Sequence, residues 1–141
     1  GEKRNVFLGD NGSQALGFLC LWILVYFSQF DNYGFSPVTA LWLVAILFMD
    51  AVRVLSTRII SGLRGANIFK AKRDHIHHKL QDYGFSNELV YSILILLAGS
   101  LSALGIFLNR IFLESHYYSF YIFLVLWICF HLIVNKIPKN V

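Results

Sequence analysis

Three histidines are the residues best suited to chemistry in this sequence, because His75, His77 and His78 fall within four residues. Imidazoles can ligate a metal, shuttle protons or, when protonated, stabilise the charge of a phosphate. Neighbouring residues on a helix point about 100° apart, so one helix cannot easily aim His77 and His78 at a single ion. Cations that suit a pyrophosphate surround the histidines: Lys70, Lys72, Arg73 and Lys79. The simpler interpretation is a solvated basic loop held at anionic lipid.

A second candidate is the segment Gly9-Asp10-Asn11-Gly12-Ser13, which precedes the first long apolar run. Its glycines allow a tight turn, and the helix that follows would present its N–H groups to an anion. The carboxylate of Asp10 suits Mg²⁺, which binds through one or two carboxylates and substrate phosphates. Taken alone, the pattern favours a helix start capped by Asp10 or Ser13, because such caps are common.

Charged residues at the end of the second apolar run form a third group. Asp50 and Arg53 are one turn apart and are predicted to pair. Arg58 either extends its charge into water from an apolar helix or lies at the rim of the same pocket as Asp10 and His75. His131, inside the last apolar run, is predicted to be a packed polar group rather than a ligand.

Four apolar runs must position these residues. The hydrophobic fraction of 57% is too high for a soluble domain of 141 residues, and positions 11–30 carry no charge. Twenty helical residues at about 1.5 Å each cross a hydrocarbon core of roughly 30 Å. We therefore predict an all-α, polytopic membrane protein with four transmembrane helices, at about 13–31, 37–55, 88–109 and 117–135. The loop between the second and third spans covers 56–87.

The distribution of positive charge predicts the orientation of these spans. Eleven of the twelve Lys and Arg residues lie on the side that holds both termini and the 56–87 loop, and Arg110 is the exception. The positive-inside rule therefore makes that side cytoplasmic. The formal net charge is +4, and the positively charged residues lie between apolar runs. Anionic lipids and anionic substrates are therefore predicted partners, and nucleic acid is not.

The central loop is predicted to contain an amphipathic helix over 74–83 that lies along the membrane surface. Ile76, Leu80 and Tyr83 form its apolar stripe, facing lipid or neighbouring helices. Asp74 is predicted to cap its start, and Gly84 to end it in the left-handed conformation.

The remaining residues of this helix are assigned to its other faces. His75, His78 and Lys79 are predicted on the polar side, with His77 nearer the flank. Ser86 is then predicted to cap the next span, whose positive N-terminus Glu88 favours.

Two loops of this chain resemble loops of a known family, and they occur in the same order along the sequence. Phe7-Leu8-Gly9-Asp10-Asn11-Gly12-Ser13 resembles its Gly-Asp-x-Gly-Ser loop, and Arg73-x-His75-Ile76-His77-His78-x-Leu80 resembles its histidine loop. The chain is thus similar to the polyprenyl-phosphate N-acetylhexosamine-1-phosphate transferases, of the bacterial undecaprenyl-phosphate N-acetylglucosaminyl-1-phosphate transferase type. The resemblance covers essentially the whole chain, and the ordered pair of loops is more specific than either loop alone.

The resemblance implies a reaction and roles for particular residues. A UDP-N-acetylhexosamine would transfer its sugar 1-phosphate to undecaprenyl phosphate, releasing UMP, in the first step of O-antigen, teichoic acid or other cell-envelope polysaccharide synthesis. Asp10 would be a catalytic residue and ligand of Mg²⁺, or alternatively Mn²⁺. His75, His77 and His78 would be catalytic. The residues implied to bind substrate phosphate are Arg73, Arg58, Gly12 and Ser13.

Departures from the family pattern bear on these expectations. Lys72 stands where the family usually has Asp, and Ile68 stands where Pro is common. The family's Asp-Asp motif and nucleotide-contacting loops lie upstream of the matched region. We therefore expect the C-terminal part of a larger transferase, inactive by itself, whose partners include the N-terminal helices of the same protein. Membrane lipids are further partners, and a homodimer is compatible with the sequence.

Two alternatives come from other functional classes. A histidine-cluster membrane oxidase of the desaturase type needs about eight histidines for two iron ions, and this chain has five. A non-catalytic module that binds anionic lipid through its basic loop is the other alternative. Asp10 opposes this second alternative, because such an anchor has no use for a carboxylate on the same side.

Overall fold

The computed structural model describes residues 9–29, 35–65, 74–112 and 115–137, and every regular element in these ranges is an α-helix. α1, α5 and α6 are each long and apolar enough to cross a membrane, and α2 with α3 adds a fourth crossing if the pair forms one span. The predicted all-α membrane fold is confirmed. The six helices are α1 (Gly9–Ser28), α2 (Pro37–Leu43), α3 (Ala45–Leu63), α4 (Ile76–Asp82), α5 (Asn87–Ile111) and α6 (His116–Lys136).

The first helix begins earlier than the sequence predicted. Gly9 has a φ of 66°, and α1 starts there, so that Asn11, Gly12 and Ser13 lie within its first turns. The prediction of a tight turn across these three residues is therefore wrong. One glycine in the left-handed conformation suffices to set the entry of the chain, and each later residue then adds a helical hydrogen bond.

The second apolar run is divided into two helices. α2 begins after Ser36, whose Oγ accepts from the N–H of Thr39, and it ends at Val44. α3 starts next to it at an angle of 81°, where one continuous helix over 37–55 was predicted. The expected continuation past Leu55 is present, because α3 extends to Leu63. Neither Pro nor Gly lies at the break, so we attribute it to the packing of Trp42.

Trp42 is the centre of the main core. Its side chain is fully buried, its Nε1–H donates to Ser119 Oγ at 2.9 Å, and its ring meets Phe123 edge to face. Gly105 of α5 lies directly against the indole, because a Cβ at this position would overlap Trp42 Cβ and Cγ. These contacts hold α2 against α5 and α6, and they fix where α3 begins. The cluster consists of Trp42, Ala45, Met49, Leu108 and Phe123.

Substituting Gly105 with alanine is expected to lower the free energy of unfolding by about 1–3 kcal/mol, the usual effect of overpacking a core. The added methyl group overlaps Trp42 and forces α2 away from α5. Circular dichroism during denaturation in detergent measures the effect.

Gly99→Ala is the matched control, because Gly99 lies in the same helix with open space where a Cβ would be. Alanine there should be neutral or stabilise by up to about 1 kcal/mol. Equal stabilities of the two variants would show that α2 and α5 do not pack as described.

The link between α4 and α5 follows its sequence signals. Gly84 has a φ of 110°, and the N–H of Phe85 donates to Leu80 O while that of Gly84 donates to Gln81 O. This pair of bonds is a Schellman motif, so the predicted left-handed end of α4 is confirmed. Ser86 caps α5 through a bond of 3.4 Å from the N–H of Leu89, as predicted.

Two predictions for α4 are wrong. Asp74 does not cap it, because the N-cap is His75 and the N–H of Ile76 donates to Asp50 on α3. Lys79 is buried rather than solvated, and its Nζ donates to Val134 O at 2.7 Å, near the end of α6. Lys79 follows Ile76 by three residues and so shares its buried side. The same carbonyl accepts the N–H of Ile137 at 3.4 Å, so Lys79 adds a second donor at the end of α6.

α4 packs on one end of the helix bundle. Its residues Ile76 and Leu80 form a second core cluster with Val90 in the first turns of α5 and Val134 in the last turns of α6. The histidine segment therefore lies where α5 begins and α6 ends. Ile76 and Leu80 contact neighbouring helices, one of the two predicted surroundings, whereas Tyr83 at the end of α4 is 54% exposed.

Candidate functional site

The carboxylate of Asp50 is the centre of the site. Its Oδ1 accepts from Arg53 Nη2 at 2.7 Å and from Arg53 Nε at 3.2 Å. Its Oδ2 lies 2.9 Å from His75 Nδ1, and the N–H of Ile76 lies 3.2 and 3.3 Å from the two oxygens. The predicted pairing of Asp50 with Arg53 is confirmed. The carboxylate also binds the start of α4, which the sequence did not predict.

Arg53 connects three parts of the chain. It is only 1% exposed, and besides binding Asp50 it donates to the backbone carbonyl of Asp74 and to Asn135 Oδ1 of α6. A guanidinium group carries five N–H donors in a fixed plane, which suits it to several acceptors at once. The position of Asp50 is therefore set by α3, by the segment before α4 and by α6.

The three histidine rings lie side by side at the start of α4. The ring centroids of His75 and His77 are 5.9 Å apart and nearly parallel, and those of His77 and His78 are 4.0 Å apart. His78 Nδ1 lies 3.2 Å from Gln81 Oε1. All three side chains are partly exposed, and that of His75 is 44% exposed. The imidazoles thus form a group within reach of both water and the helix bundle.

An apolar crevice of about 250 Å³ opens beside the histidines. Asp50, His75 and His77 form its polar part. A molecule with a charged head and an apolar tail matches this arrangement, because the head would meet imidazoles while the tail lies on hydrocarbon. The rest of the lining is apolar and comes from α3, α4 and α5: Ile46, Leu47, Ala51, Ile76 and Leu94.

Arg58 lies at a different cavity, of about 220 Å³. Arg53 contributes to this cavity and Asp50 to the histidine crevice, so the buried ion pair lies between the two spaces. Arg58 Nε is buried and has no hydrogen-bond partner among the residues that the structure describes. The lining is polar throughout: Arg53, Thr57, Arg58, Ser61, Asp74, Lys79 and Asn135.

Comparison with known proteins relates this site to a class of enzyme. The chain is 34% identical over 140 residues to the undecaprenyl-phosphate alpha-N-acetylglucosaminyl 1-phosphate transferase of Escherichia coli O157:H7, covering 99% of this chain and 36% of that protein. It is 29% identical over 136 residues to the Yersinia pestis protein of the same name, covering 96% of this chain and 36% of that protein. These relatives share one name, and the chain is similar to a part of that transferase over nearly all of its own length.

The chain spans about a third of the length of these curated relatives, as the match to the Escherichia coli K12 transferase also indicates. That match is 34% identical over 128 residues and covers 91% of this chain and 33% of the relative. No family model matches the chain, and no solved structure gives a significant match. The likeness extends over both loops on which the resemblance was based.

Several residues that the transferase family implies lie outside what the structure describes. Arg73 falls in the undescribed segment 66–73, and the side chain of Asp10 is likewise not described, so their assigned roles stay predictions. Gly12 and Ser13 lie in the first turns of α1, and Leu21, Leu24, Val25 and Ser28 in its other half line a cavity shared with α2 and α3.

The Mg²⁺ site predicted at Asp10 depends on a side chain outside the described residues. Across ranges 9–29, 35–65, 74–112 and 115–137, no three His, Cys, Asp or Glu side chains come together in a way that could hold a metal ion. Both oxygens of Asp50 already accept N–H groups, Oδ1 from Arg53 and Oδ2 from Ile76. An ion held by Asp10 is therefore a prediction from the family resemblance, and no reaction step below depends on it.

The sequence left two contributors to the site unrecognised. The sequence predicts only that Asn135 ends the last span, and the structure shows Arg53 Nη1 donating to its Oδ1 at 3.3 Å. The sequence predicts Lys79 on the polar side of its helix, whereas it lines the cavity of Arg58. His131 is half-buried against Trp127, with ring centroids 5.8 Å apart, and its Nδ1 has no partner in the described part of the chain.

Proposed function

We propose that this chain is part of an enzyme that transfers N-acetylhexosamine 1-phosphate from a UDP-sugar to undecaprenyl phosphate at the cytoplasmic membrane face. The observation that carries the proposal is the histidine group at the polar end of an apolar crevice, fixed by the buried pair of Asp50 and Arg53. The names of the relatives supply the sugar and the lipid acceptor. The product would begin a cell-envelope polysaccharide such as O-antigen or teichoic acid.

The chemistry requires charge stabilisation more than covalent catalysis. An oxygen of undecaprenyl phosphate attacks the sugar-linked phosphorus of the donor, and the bond from that phosphorus to the bridging oxygen breaks. UMP leaves with the electron pair, and the polyprenyl diphosphate sugar stays in the membrane. Negative charge accumulates on the phosphoryl oxygens, so fixed donors and cations that face them lower the barrier. His75 and His77 at the crevice are suited to meet the acceptor phosphate.

The cavity of Arg58 suits a phosphate of the donor. It combines the guanidinium group of Arg58 with the hydroxyl groups of Thr57 and Ser61. A hydrogen bond to a charged group contributes about 1.5–3 kcal/mol, which corresponds to roughly 10- to 100-fold in affinity.

Replacing Arg58 with glutamine is therefore expected to raise KM for the UDP-sugar by about 10- to 100-fold, with a smaller change in kcat. Initial rates at varied donor concentration test this expectation. Arg64→Gln is the matched control, because Arg64 is exposed at the end of α3 and should leave KM unchanged. Equal KM values for both variants would remove Arg58 from the donor site.

Membrane placement follows from the same proposal. Four crossings, with α2 and α3 together forming one of them, would leave both termini and the 56–87 loop on the same side, and the excess of Lys and Arg there makes that side cytoplasmic. Mg²⁺ bound through Asp10 and the contribution of further helices from a longer protein belong to the proposal as well. On this view the 141-residue chain alone has no transferase activity, and the complete protein does.

The decisive experiment follows the β-phosphate. Membranes that contain the complete protein receive undecaprenyl phosphate and a UDP-N-acetylhexosamine whose β-phosphate carries ³²P. The proposal predicts that the label enters the lipid fraction while unlabelled UMP is released, and that both depend on added undecaprenyl phosphate. Label that stays in UDP while the sugar reaches the lipid would identify simple glycosyl transfer. No transfer with either the GlcNAc or the GalNAc donor would reject the proposal.

A further inference from the structure

The two ring nitrogens of His75 have different surroundings. Nδ1 lies 2.9 Å from Asp50 Oδ2, while the side chain as a whole is 44% exposed. The other contacts of Asp50 come from N–H groups of Arg53 and Ile76, so the carboxylate acts as an acceptor towards each of them. A carboxylate that accepts requires Nδ1 to donate. The proton of a neutral His75 is thereby assigned to Nδ1.

We propose that Asp50 is a positioning residue for the reaction. It holds His75 with Nδ1–H directed into the protein, so that Nε2 faces the substrate and, when the ring is protonated, donates to a phosphate oxygen. A histidine whose inner nitrogen binds a carboxylate has a fixed tautomer and ring orientation, as in many metal and catalytic sites. The substrate contact rests on the proposed transferase function, whereas the orientation of the ring does not.

Asp50 can orient His75 because contacts from other parts of the chain hold its own carboxylate in place. Arg53 binds it at 2.7 Å and is anchored to Asn135 of α6 and to the backbone at Asp74. A functional side chain needs such outer contacts to keep its geometry within a fraction of an ångström. The ring of His75 therefore takes its orientation from α3 and α6 as well as from α4.

Asp50 also has a structural role that the test must separate. It accepts from the N–H of Ile76, the first residue of α4, and so replaces the side-chain cap that His75 does not provide. Loss of Asp50 therefore removes a helix cap and a histidine partner together. Only the second effect depends on the imidazole of His75.

The first measurement reads the tautomer directly. Nitrogen-15 NMR of the wild-type complete protein labelled at histidine, with His75→Gln to assign the signal, distinguishes protonated from unprotonated ring nitrogens. We expect Nδ1 of His75 to be protonated at every pH at which the protein is folded. A neutral His75 protonated at Nε2, or an equal mixture of the two forms, would overturn the proposal. This measurement needs no turnover, so it holds even if the transferase function is rejected.

The second measurement is a double-mutant cycle on kcat in the complete protein. Asp50→Asn should lower kcat by about 10- to 100-fold, the range for the outer partner of a functional histidine. In the His75→Gln background the same change should have less than about a 3-fold effect, because its target is gone. An undiminished loss in that background would mean that Asp50 acts only on the structure.

Two further variants serve as a control and as a substitute for Asp50→Asn. Glu88→Gln removes an exposed carboxylate from the nearby first turn of α5 and should leave kcat unchanged. If Asp50→Asn does not fold, Asp50→Asn with Arg53→Gln removes both charges of the buried pair and takes its place. A loss of kcat in that double variant that persists without His75 would again refute positioning.

Discussion

Replacing Arg53 with leucine is expected to lower the free energy of unfolding by about 3–5 kcal/mol, because it leaves the buried carboxylate of Asp50 without its cation. Arg53 is 1% exposed, and its guanidinium group also binds Asn135 and the backbone at Asp74. Leucine fills much of the volume but offers no donor to any of these acceptors. Thermal or denaturant unfolding in detergent, followed by circular dichroism, measures the loss.

Arg110→Leu is the control for the loss of an arginine in general. Arg110 is exposed in the last turn of α5, so its replacement should change the free energy of unfolding by no more than about 0.5 kcal/mol. Replacing Asp50 and Arg53 together by leucine should be less damaging than Arg53→Leu alone, because no unpaired charge remains. Arg53→Leu with wild-type stability would mean that the buried pair does not exist.

Replacing His75 with glutamine is expected to lower kcat by about 100- to 1,000-fold, the usual loss when one fixed donor to a developing charge is removed. Glutamine keeps a polar side chain but has neither the imidazole charge nor the ring geometry that Asp50 fixes. The transfer of ³²P-labelled sugar phosphate to lipid measures the rate. Membrane insertion and expression should remain as in the wild type, because His75 is partly exposed.

His116→Gln is the matched control. His116 begins α6, at the end of that helix opposite Val134, which packs against α4. Its replacement should leave kcat within about 2-fold of the wild type, because a group remote from the reacting phosphates loses no transition-state contact. If both variants retained full activity, the histidine segment would not take part in the reaction.

Local sequence signals predicted the local structure well. Gly84 and Ser86 mark the end of α4 and the start of α5, and each does so through bonds within five residues of the chain. The pair of Asp50 and Arg53 was predictable for the same reason, because side chains three residues apart on one helix lie next to each other. Helices α5 and α6 begin and end within two residues of the predicted spans 88–109 and 117–135.

Contacts between distant segments were beyond the reach of such signals. Arg53 and Asn135 are 82 positions apart, and no sequence pattern around either residue predicts that they pair. No Pro or Gly lies at the break at Val44, so the sequence contains no local signal for it. We attribute the break to the packing of Trp42 against Gly105. Lys79 was misassigned since a cation usually lies in water, and the carbonyl of Val134 that it binds belongs to another helix.

The candidate site was predicted in part. The sequence identified the histidines, and the structure brings their rings together, but the partner of His75 became visible only in three dimensions. One of the two predictions for Arg58 placed it at the rim of the same pocket as Asp10 and His75, whereas it lines a cavity separate from the histidine crevice. The assigned roles of Asp10 and Arg73 remain predictions, because those roles depend on side chains outside the described residues.

The brevity of α4 has a consequence for how such an enzyme could change during evolution. Seven residues are too few to sustain a helix in water, so a synthetic peptide of this segment should be a random coil. The helix is instead stabilised by its contacts with buried residues of three other helices. Substitutions deep in the bundle would therefore tilt α4, the segment proposed to contact the substrate, and selection for a new sugar or lipid would act through residues remote from the substrate.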